Sequence, residues 1–462
     1  MKKHIHLIGI GGTGLSAIAR LLQQSGYVVS GSDQMMSPLA EGLVSDGVQV
    51  MIGHKAENIN GADIIVRSSA VADDNPEVLA GRKAGIPVLK RSQFLGQIME
   101  SKVGIAVAGT HGKTTTTGMI TWMLTQLGKD PSYIVGGTIN QLDTNAHAGG
   151  GEYFVIEADE YDRMFLGLKP FISVVTNMEL DHPDCFPTLG DYYSAFLEFA
   201  SSTQPGGKVL VCGDHENLRL LQERVAHIGL ATQSYGFDPT CDYQAKNLAL
   251  SNEGYYTFDF VRNMVQGTDT ICGNITITLP GIHNVLNTLA ALSTADLLSL
   301  PIQEAADALS NFSGTGRRFE IVGEVNGITL IDDYAHHPTE IKTTLAAARS
   351  RFQHRRIWAI WQPHTYSRTR LLEREFINSF TEADVVVLTE IYASRERKEN
   401  YSSKELVKQM DQKKTRFIPE LAEVANVLLK ELRPSDVVIV LSAGDANLVN
   451  KALADSLPGR KM

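Results

Sequence analysis

The stretch VGIAVAGTHGKTTTTGMITWMLTQLG, residues 103–128, decides how the chain is read. Val103 to Ala108 is an apolar run of strand character, followed by a turn holding Gly109 and Gly112. Lys113 and four threonines then lead into an apolar-periodic segment that predicts a helix. Strand, Gly-rich turn, Lys-Thr and helix is the order that aims backbone N–H groups and a helix N-terminus at a phosphate chain. Lys113 is expected to reach the terminal phosphates of a nucleotide, with the Thr114 hydroxyl on a magnesium ion. The full phosphate-loop pattern asks for a glycine five positions before Gly112, where Val107 stands. The loop is therefore the shorter GTHGKT.

Outward from that loop, 462 residues allow two to four domains, each with an ample core. A hydrophobic share of 43%, a charged share of 20% and a net charge of −10 suit a globular protein and argue against a nucleic-acid partner. The four cysteines are scattered with no C-x-x-C pair, which suggests neither a zinc site nor a disulfide framework. No apolar run approaches the length of a membrane span, and the start lacks the apolar core of a signal peptide. No membrane partner and a cytoplasmic location are expected.

Before the loop, HIHLIGI (4–10) predicts a buried strand entering Gly9, Gly11, Gly12 and Gly14. A helix over Leu15–Gln24 and a second strand closing on Asp33 complete a G-x-G-x-x-G unit with an acid about 20 residues on. A pyrophosphate is expected on this helix and a hydroxylated ring near Asp33; a nicotinamide dinucleotide and a UDP-sugar meet that demand equally. The first domain is expected to be Rossmann-like and to end near residue 100.

After the loop, apolar runs at 152–159, 171–178 and 208–214 end in acids or amides. Glu157, Asp159, Glu160, Asn177, Asp181 and His182 fall at these strand ends, where open parallel sheets gather ligands. Acids and a histidine beside a phosphate loop suit a magnesium–nucleotide site, because hard cations prefer oxygen. Residues 231–280 predict β structure and 279–298 a helix. NFSGTGRRFE (311–320) predicts a domain linker. A last strand–helix alternation carries two dense strand ends: Asp332, Asp333, Tyr334, His336 and His337, then His364, Tyr366, Arg368 and Arg370. Histidines beside an arginine cluster point to anion or amino-acid binding.

GIGGTG, GTHGKTTTT, EADEYDR, TNMELDH, GIHNVLN, RRFE, DDYAHHPTE and QPHTYSRTR occur in that order. Taken together, they make the chain resemble the Mur ligases of peptidoglycan synthesis over essentially its whole length. The resemblance implies an α/β chain of three domains: a Rossmann-like UDP-binding domain (1–100), a central P-loop ATPase domain (101–313) and a C-terminal Rossmann-like α/β domain for the incoming amino acid (314–462). It implies that Gly9, Gly11, Gly12 and Gly14 hold the UDP diphosphate, with Asp33 and Ser69 near the nucleoside. Gly109, Thr110, His111, Gly112, Lys113, Thr114 and Thr115 match the ATP-phosphate loop, and Asn284 and Asn287 match positions facing adenine. Arg318 and Asp333 match positions that meet ATP on domain closure. Thr114 and Glu157 match ligands of one magnesium, and His182 a ligand of a second. Tyr334, His336 and Arg368 match the alanine site. Lys113 and His182 are the implied catalytic residues, with His336 as the base expected to deprotonate the amine.

Within the family the pattern points to members that use ATP and Mg2+ to join L-alanine to UDP-N-acetylmuramate through an acyl phosphate, acting as a monomer or homodimer. Members that recycle a whole tripeptide onto the same sugar share EADEYD but lack the QPHTYSR-like segment. A nicotinamide-dependent dehydrogenase would leave the GTHGKT loop and the acid cluster unused, and a non-catalytic nucleotide switch would leave the last domain's substrate-type residues unused. Two departures stand out. Sister ligases carry a carbamylated lysine about 15 residues beyond the metal histidine; here no lysine stands between His182 and Lys208, and Glu198 is the expected substitute anion. Thr365 stands where many alanine-adding members have arginine, which leaves the carboxylate contact resting on Arg368.

Overall fold

The protein is described here from a computed structural model covering residues 2–263, 270–394 and 396–457. Part of the 231–280 β prediction (264–269) and the chain's last five positions lie outside the described residues.

Three sheets are strung along the chain. The first is parallel, in the order Gln49–Ile52, Val28–Asp33, His4–Ile8, Ile64–Arg67, Val88–Lys90. The order reverses beside His4–Ile8, so the glycine loop that follows lies at the switch point, where such sheets bind ligands. Gly9 takes φ +87°, a conformation that favours glycine.

The second sheet has ten strands, and Val103–Ala108 lies between Ile172–Val175 and Tyr153–Glu157, parallel to both. Ile105 to Ala108 are fully buried, because helices cover both faces of a parallel sheet and leave no face for polar residues. The helix Lys113–Gln126 packs on this sheet and beneath the helices Ile282–Leu297 and Ile302–Ser310. Thr116, Thr117 and Thr121 are consequently buried at its heart, with the Thr117 hydroxyl turned back onto the Lys113 carbonyl (2.7 Å). The region read as β in 231–280 adds the strands Ala231–Gly236, Tyr243–Leu250, Tyr256–Arg262 and Thr270–Ile277, the last two pairing antiparallel.

The third sheet runs Glu320–Val325, Ile328–Asp333, Val437–Leu441, Ile357–Trp361, Val385–Leu388, Thr415–Phe417, parallel except for its first strand. Its apolar residues form cores of their own, whereas the first two sheets share one continuous core. The linker at 311–320 is anchored at its start: Thr315 is fully buried and bridges Ile139, and Gly316 N–H donates to the Thr138 carbonyl (2.8 Å). Beyond that anchor Arg317 and Phe319 take φ +57° and +47°, so the chain turns sharply into the last domain.

Candidate active site

The phosphate loop is shaped by two glycines and a neighbouring strand end. Gly109 takes φ +139° and lies against the Thr176 hydroxyl, so a side chain would collide there. Gly112 takes φ +78°, and a Cβ would come 2.6 Å from Asn287 Oδ1. Asn177 braces the turn between them: its Oδ1 accepts from His111 N–H (2.8 Å) and its amide donates to the His111 carbonyl (2.8 Å). Lys113 Nζ donates to the Gly109 carbonyl (2.5 Å), the Thr110 carbonyl (3.1 Å) and Glu160 (2.9 Å).

Glu160 is wholly buried and also accepts from the Tyr192 hydroxyl (3.1 Å), with His182 Nε2 at 3.8 Å. Burial works against charge on both members of the Lys113–Glu160 pair. Glu160, Glu157 and Asp159 hold the ammonium charged, while burial pushes the Glu160 carboxyl upward. The loop thus keeps a cation in place with a buried acid close by.

Thr114 Oγ1 donates to Glu157 Oε1 (3.1 Å), and Glu157 Oε2 accepts from Gly136 N–H (2.7 Å). Both side chains border the cleft described below, and their hydroxyl and carboxylate oxygens are the donor set a hard divalent cation selects. His182 adds an imidazole on the same wall, its Nδ1 buried without a hydrogen-bond partner and its backbone at φ +54°. Glu198, the expected anion, does not join them. It is exposed on the helix Leu189–Ser201, whose buried side carries Tyr192, Phe196 and Phe199. The anions beside His182 are Glu160 and Asp181, each 3.8 Å from its Nε2.

The last domain meets this wall through ions. Asp181 Oδ1 accepts from Arg368 Nε (3.0 Å) and Nη2 (2.8 Å), all nearly buried. Burial would raise the Asp181 carboxyl, yet the guanidinium holds it well below the usual carboxylate range. Arg368 therefore contacts an acid of the middle domain as well as the cleft. His111 of the phosphate loop lies between Glu179 (3.4 Å) and Glu340 (3.2 Å), one from each domain. Burial opposes its protonation, but the two carboxylates lift it to about 9.

His111, Glu179 and His337 offer ligating atoms within 4.8 Å of one another. Their hydrogen bonds run across the domains: the His111 nitrogens meet the two acids, His337 Nδ1 accepts from Thr339 N–H (3.3 Å), and Glu179 Oε2 accepts from the Thr339 hydroxyl (2.7 Å). The trio reads as a cross-domain hydrogen-bond network. His336 and His337 open the helix Pro338–Arg351, where Glu340 accepts both backbone N–H groups (2.9 and 3.2 Å) in a capping box.

Tyr334 is flanked by the guanidinium groups of Arg317 (5.1 Å) and Arg318 (5.0 Å). Asp333 accepts from Phe319 N–H (2.8 Å) and Ala335 N–H (2.7 Å), and burial raises its carboxyl to about 6. His336 Nδ1 lies 2.9 Å from the Tyr334 carbonyl and so carries the proton, leaving Nε2 with a lone pair. Burial lowers its pKa to about 4, which keeps the ring neutral at pH 7.

Two cavities result. One of about 200 Å3 is bounded by His111, Gly112, Thr114, Thr115, Asn284, Asn287, Arg318 and Asp333. Asn287 Nδ2 donates to Asn284 Oδ1 (3.0 Å), and His283, pushed down to about 4 by burial, lies beside them. The other, about 1200 Å3, runs from Gly14 in the first domain past Thr110, Lys113, Glu157 and His182 to Tyr334, His336 and Arg368 in the last. Gly109 lines neither cavity; its carbonyl accepts from Lys113 Nζ.

Of the first domain's candidates only Gly14 borders this cleft; Gly9, Gly11, Gly12, Asp33 and Ser69 line neither cavity, and Ser69 is exposed. Asp33 Oδ2 instead accepts from Gly11 N–H (2.8 Å) and closes the glycine loop on itself. Arg91, which the motif reading did not single out, lies over Gly14 so closely that a Cβ there would strike its guanidinium, and it reaches Asp159 (3.6 Å). Glu340 and Tyr192 were missed too; the spacing of His337 and Glu340 was the readable sign of a capped helix.

Fold and cleft together define a nucleotide-dependent enzyme whose phosphate loop faces a chamber shared by three α/β domains. Family profiles agree in three consecutive pieces: "Mur ligase family, catalytic domain" over 4–103, "Mur ligase middle domain" over 107–295 and "Mur ligase, glutamate ligase domain" over 317–444. A UDP-N-acetylmuramate–L-alanine ligase of Syntrophus aciditrophicus is 39% identical, covering 98% of this chain and 94% of its own. One of Geotalea uraniireducens is 40% identical, covering 98% of each. The solved UDP-N-acetylmuramate–alanine ligase of Thermotoga maritima superposes with a TM-score of 0.80 at 28% identity over 98% of both chains. A murein peptide ligase of Psychrobacter arcticus superposes at 0.69 with 26% identity over the full length of both. The chain belongs to the Mur ligase family. No described helix is long and apolar enough to cross a membrane.

Proposed function

We infer that the chain is an ATP-dependent ligase that joins L-alanine to the lactyl carboxylate of UDP-N-acetylmuramate in peptidoglycan precursor synthesis. The single observation that carries this reading is the near-full-length identity of about 40% to alanine-adding ligases. Because the reaction consumes ATP and a nucleotide-sugar, we place it in the cytoplasm. We set the working domain boundaries at 1–100, 101–313 and 314–462.

A carboxylate acylates poorly, so its oxygen first attacks the γ-phosphorus of ATP, releasing ADP and giving an acyl phosphate. The neutral amine of alanine then attacks the acyl carbon, and phosphate leaves. The smaller cavity suits the nucleotide, with Asn284 and Asn287 toward the base, and Arg318 and Asp333 contributed by the last domain. Lys113 borders the large cleft beside Thr114, which lines both cavities, and is placed to offset charge as two anions approach. Thr114 and Glu157 would hold a magnesium ion, with His182 toward a second; bound there, the metal screens phosphate charge.

In the large cleft the sugar nucleotide extends from Gly14 and Arg91 toward Lys113. The alanine end is formed by Tyr334, His336 and Arg368. His336 is neutral with Nε2 available, so it can accept the amine proton. Domain closure aligns the partners and keeps water from the acyl phosphate. Protein supplied with ATP, magnesium and UDP-N-acetylmuramate should release phosphate on addition of alanine. Release only with a tripeptide would reassign it to the recycling reaction.

A further inference from the structure

The Arg368 guanidinium has five N–H donors, and the structure commits three of them. Nε and Nη2 converge on Asp181 Oδ1 (3.0 and 2.8 Å), and Nη1 meets His364 Nδ1 (3.1 Å). The two donors left, one on each Nη, form a fork of the shape that takes a carboxylate bidentately. Arg368 borders the large cleft, and so does Asp181.

The two residues are 187 positions apart and belong to different domains. Asp181 lies after the strand Ile172–Val175 of the middle domain; Arg368 is on the helix Tyr366–Leu371 of the last. Asp181 is fixed from its own side as well, since its Oδ1 accepts from His182 N–H (2.7 Å). The last domain's apolar cores are separate from that of the first two, so this ion pair is one of the polar ties that orient it.

We propose that Asp181 is the positioning residue of the amino-acid site: it takes one edge of the Arg368 guanidinium so that the other edge is presented to the α-carboxylate of the incoming amino acid. The site is then complete only when the middle and last domains are in contact. A small neutral amino acid arrives as a zwitterion, and a fork held by a buried acid receives its carboxylate without first reorienting. Because Asp181 is joined to Arg368 on one side and adjoins His182 on the other, the amino-acid site is built directly onto the wall that faces Lys113. This proposal rests on the alanine-ligase reading.

The test is a double-mutant cycle on the full chain, measuring kcat and KM for alanine and for ATP in wild type, Asp181→Asn, Arg368→Lys and the double variant. Asp181→Asn should raise the alanine KM roughly tenfold or more while the ATP KM stays within about threefold. Arg368→Lys keeps the charge but loses the fork, and should show the same split. The double variant should be little worse than either single one, because both remove one device. Multiplying effects, or equal changes in the alanine and ATP constants, would overturn the proposal. Should Asp181→Asn fail to fold, an unchanged alanine KM in Arg368→Lys is by itself sufficient to reject it. A wild-type chain without alanine-dependent phosphate release would instead remove the functional reading itself.

Discussion

Replacing His111 with alanine gives a stability change with a definite pH signature. In the folded chain the imidazole lies between Glu179 and Glu340, 14% exposed, and its pKa is raised from 6.5 to about 9. At ~1.4 kcal/mol per pH unit, that rise corresponds to about 3 kcal/mol of stabilisation from the protonated ring. Glu179, lowered from 4.5 to about 2, reports the same bridge from its other end and is not added. A group whose folded pKa lies above its unfolded one contributes fully below the unfolded value and loses its contribution as pH rises through the folded value. The advantage of wild type over His111→Ala should thus be largest near pH 6, about half as large near pH 8, and gone above about pH 9, apart from a pH-independent offset. Denaturant unfolding of both proteins across that range measures it. A difference that stays flat, or grows with pH, would refute the bridge.

Three further outcomes follow from the same geometry. Lys113→Ala should lower turnover by at least about 100-fold, since no other ammonium lies within reach of the loop carbonyls among the described contacts; near-normal turnover would refute its charge-neutralising role. Arg91→Ala should raise the KM for the UDP-sugar by roughly tenfold with little effect on that for ATP, checked by initial rates, because its guanidinium covers Gly14 at the far end of the cleft. Glu157→Gln should raise the magnesium concentration needed for half-maximal rate by about tenfold or more, with the unfolding midpoint little changed.

Much of the fold was readable because the strands that matter are short apolar runs ended by glycine, acid or amide. Val103–Ala108 appears in the structure with the bounds expected of it, and the strand ends at Glu157 and Asn177 do flank the phosphate loop. The ties between domains were not readable: nothing local in QPHTYSR says that Arg368 meets an acid 187 positions earlier. Glu198 shows a different failure. Counting residues from His182 placed an anion there, whereas the helix turns Tyr192, Phe196 and Phe199 inward and leaves Glu198 outside. The aromatic spacing of that helix was the better guide. Asp33 was expected near the nucleoside; in the structure its carboxylate holds the glycine loop's own N–H group, which a fingerprint of residue types does not reveal.

The central claim is that one carboxylate is activated by ATP and captured by alanine, and an oxygen label follows that transfer directly. UDP-N-acetylmuramate carrying 18O in its lactyl carboxylate, incubated with the protein, ATP, magnesium and alanine, should yield one amide product per phosphate released. Each phosphate should carry one oxygen from the carboxylate. Phosphate that forms without alanine, or amide formation that leaves the released phosphate unlabelled, would contradict the account.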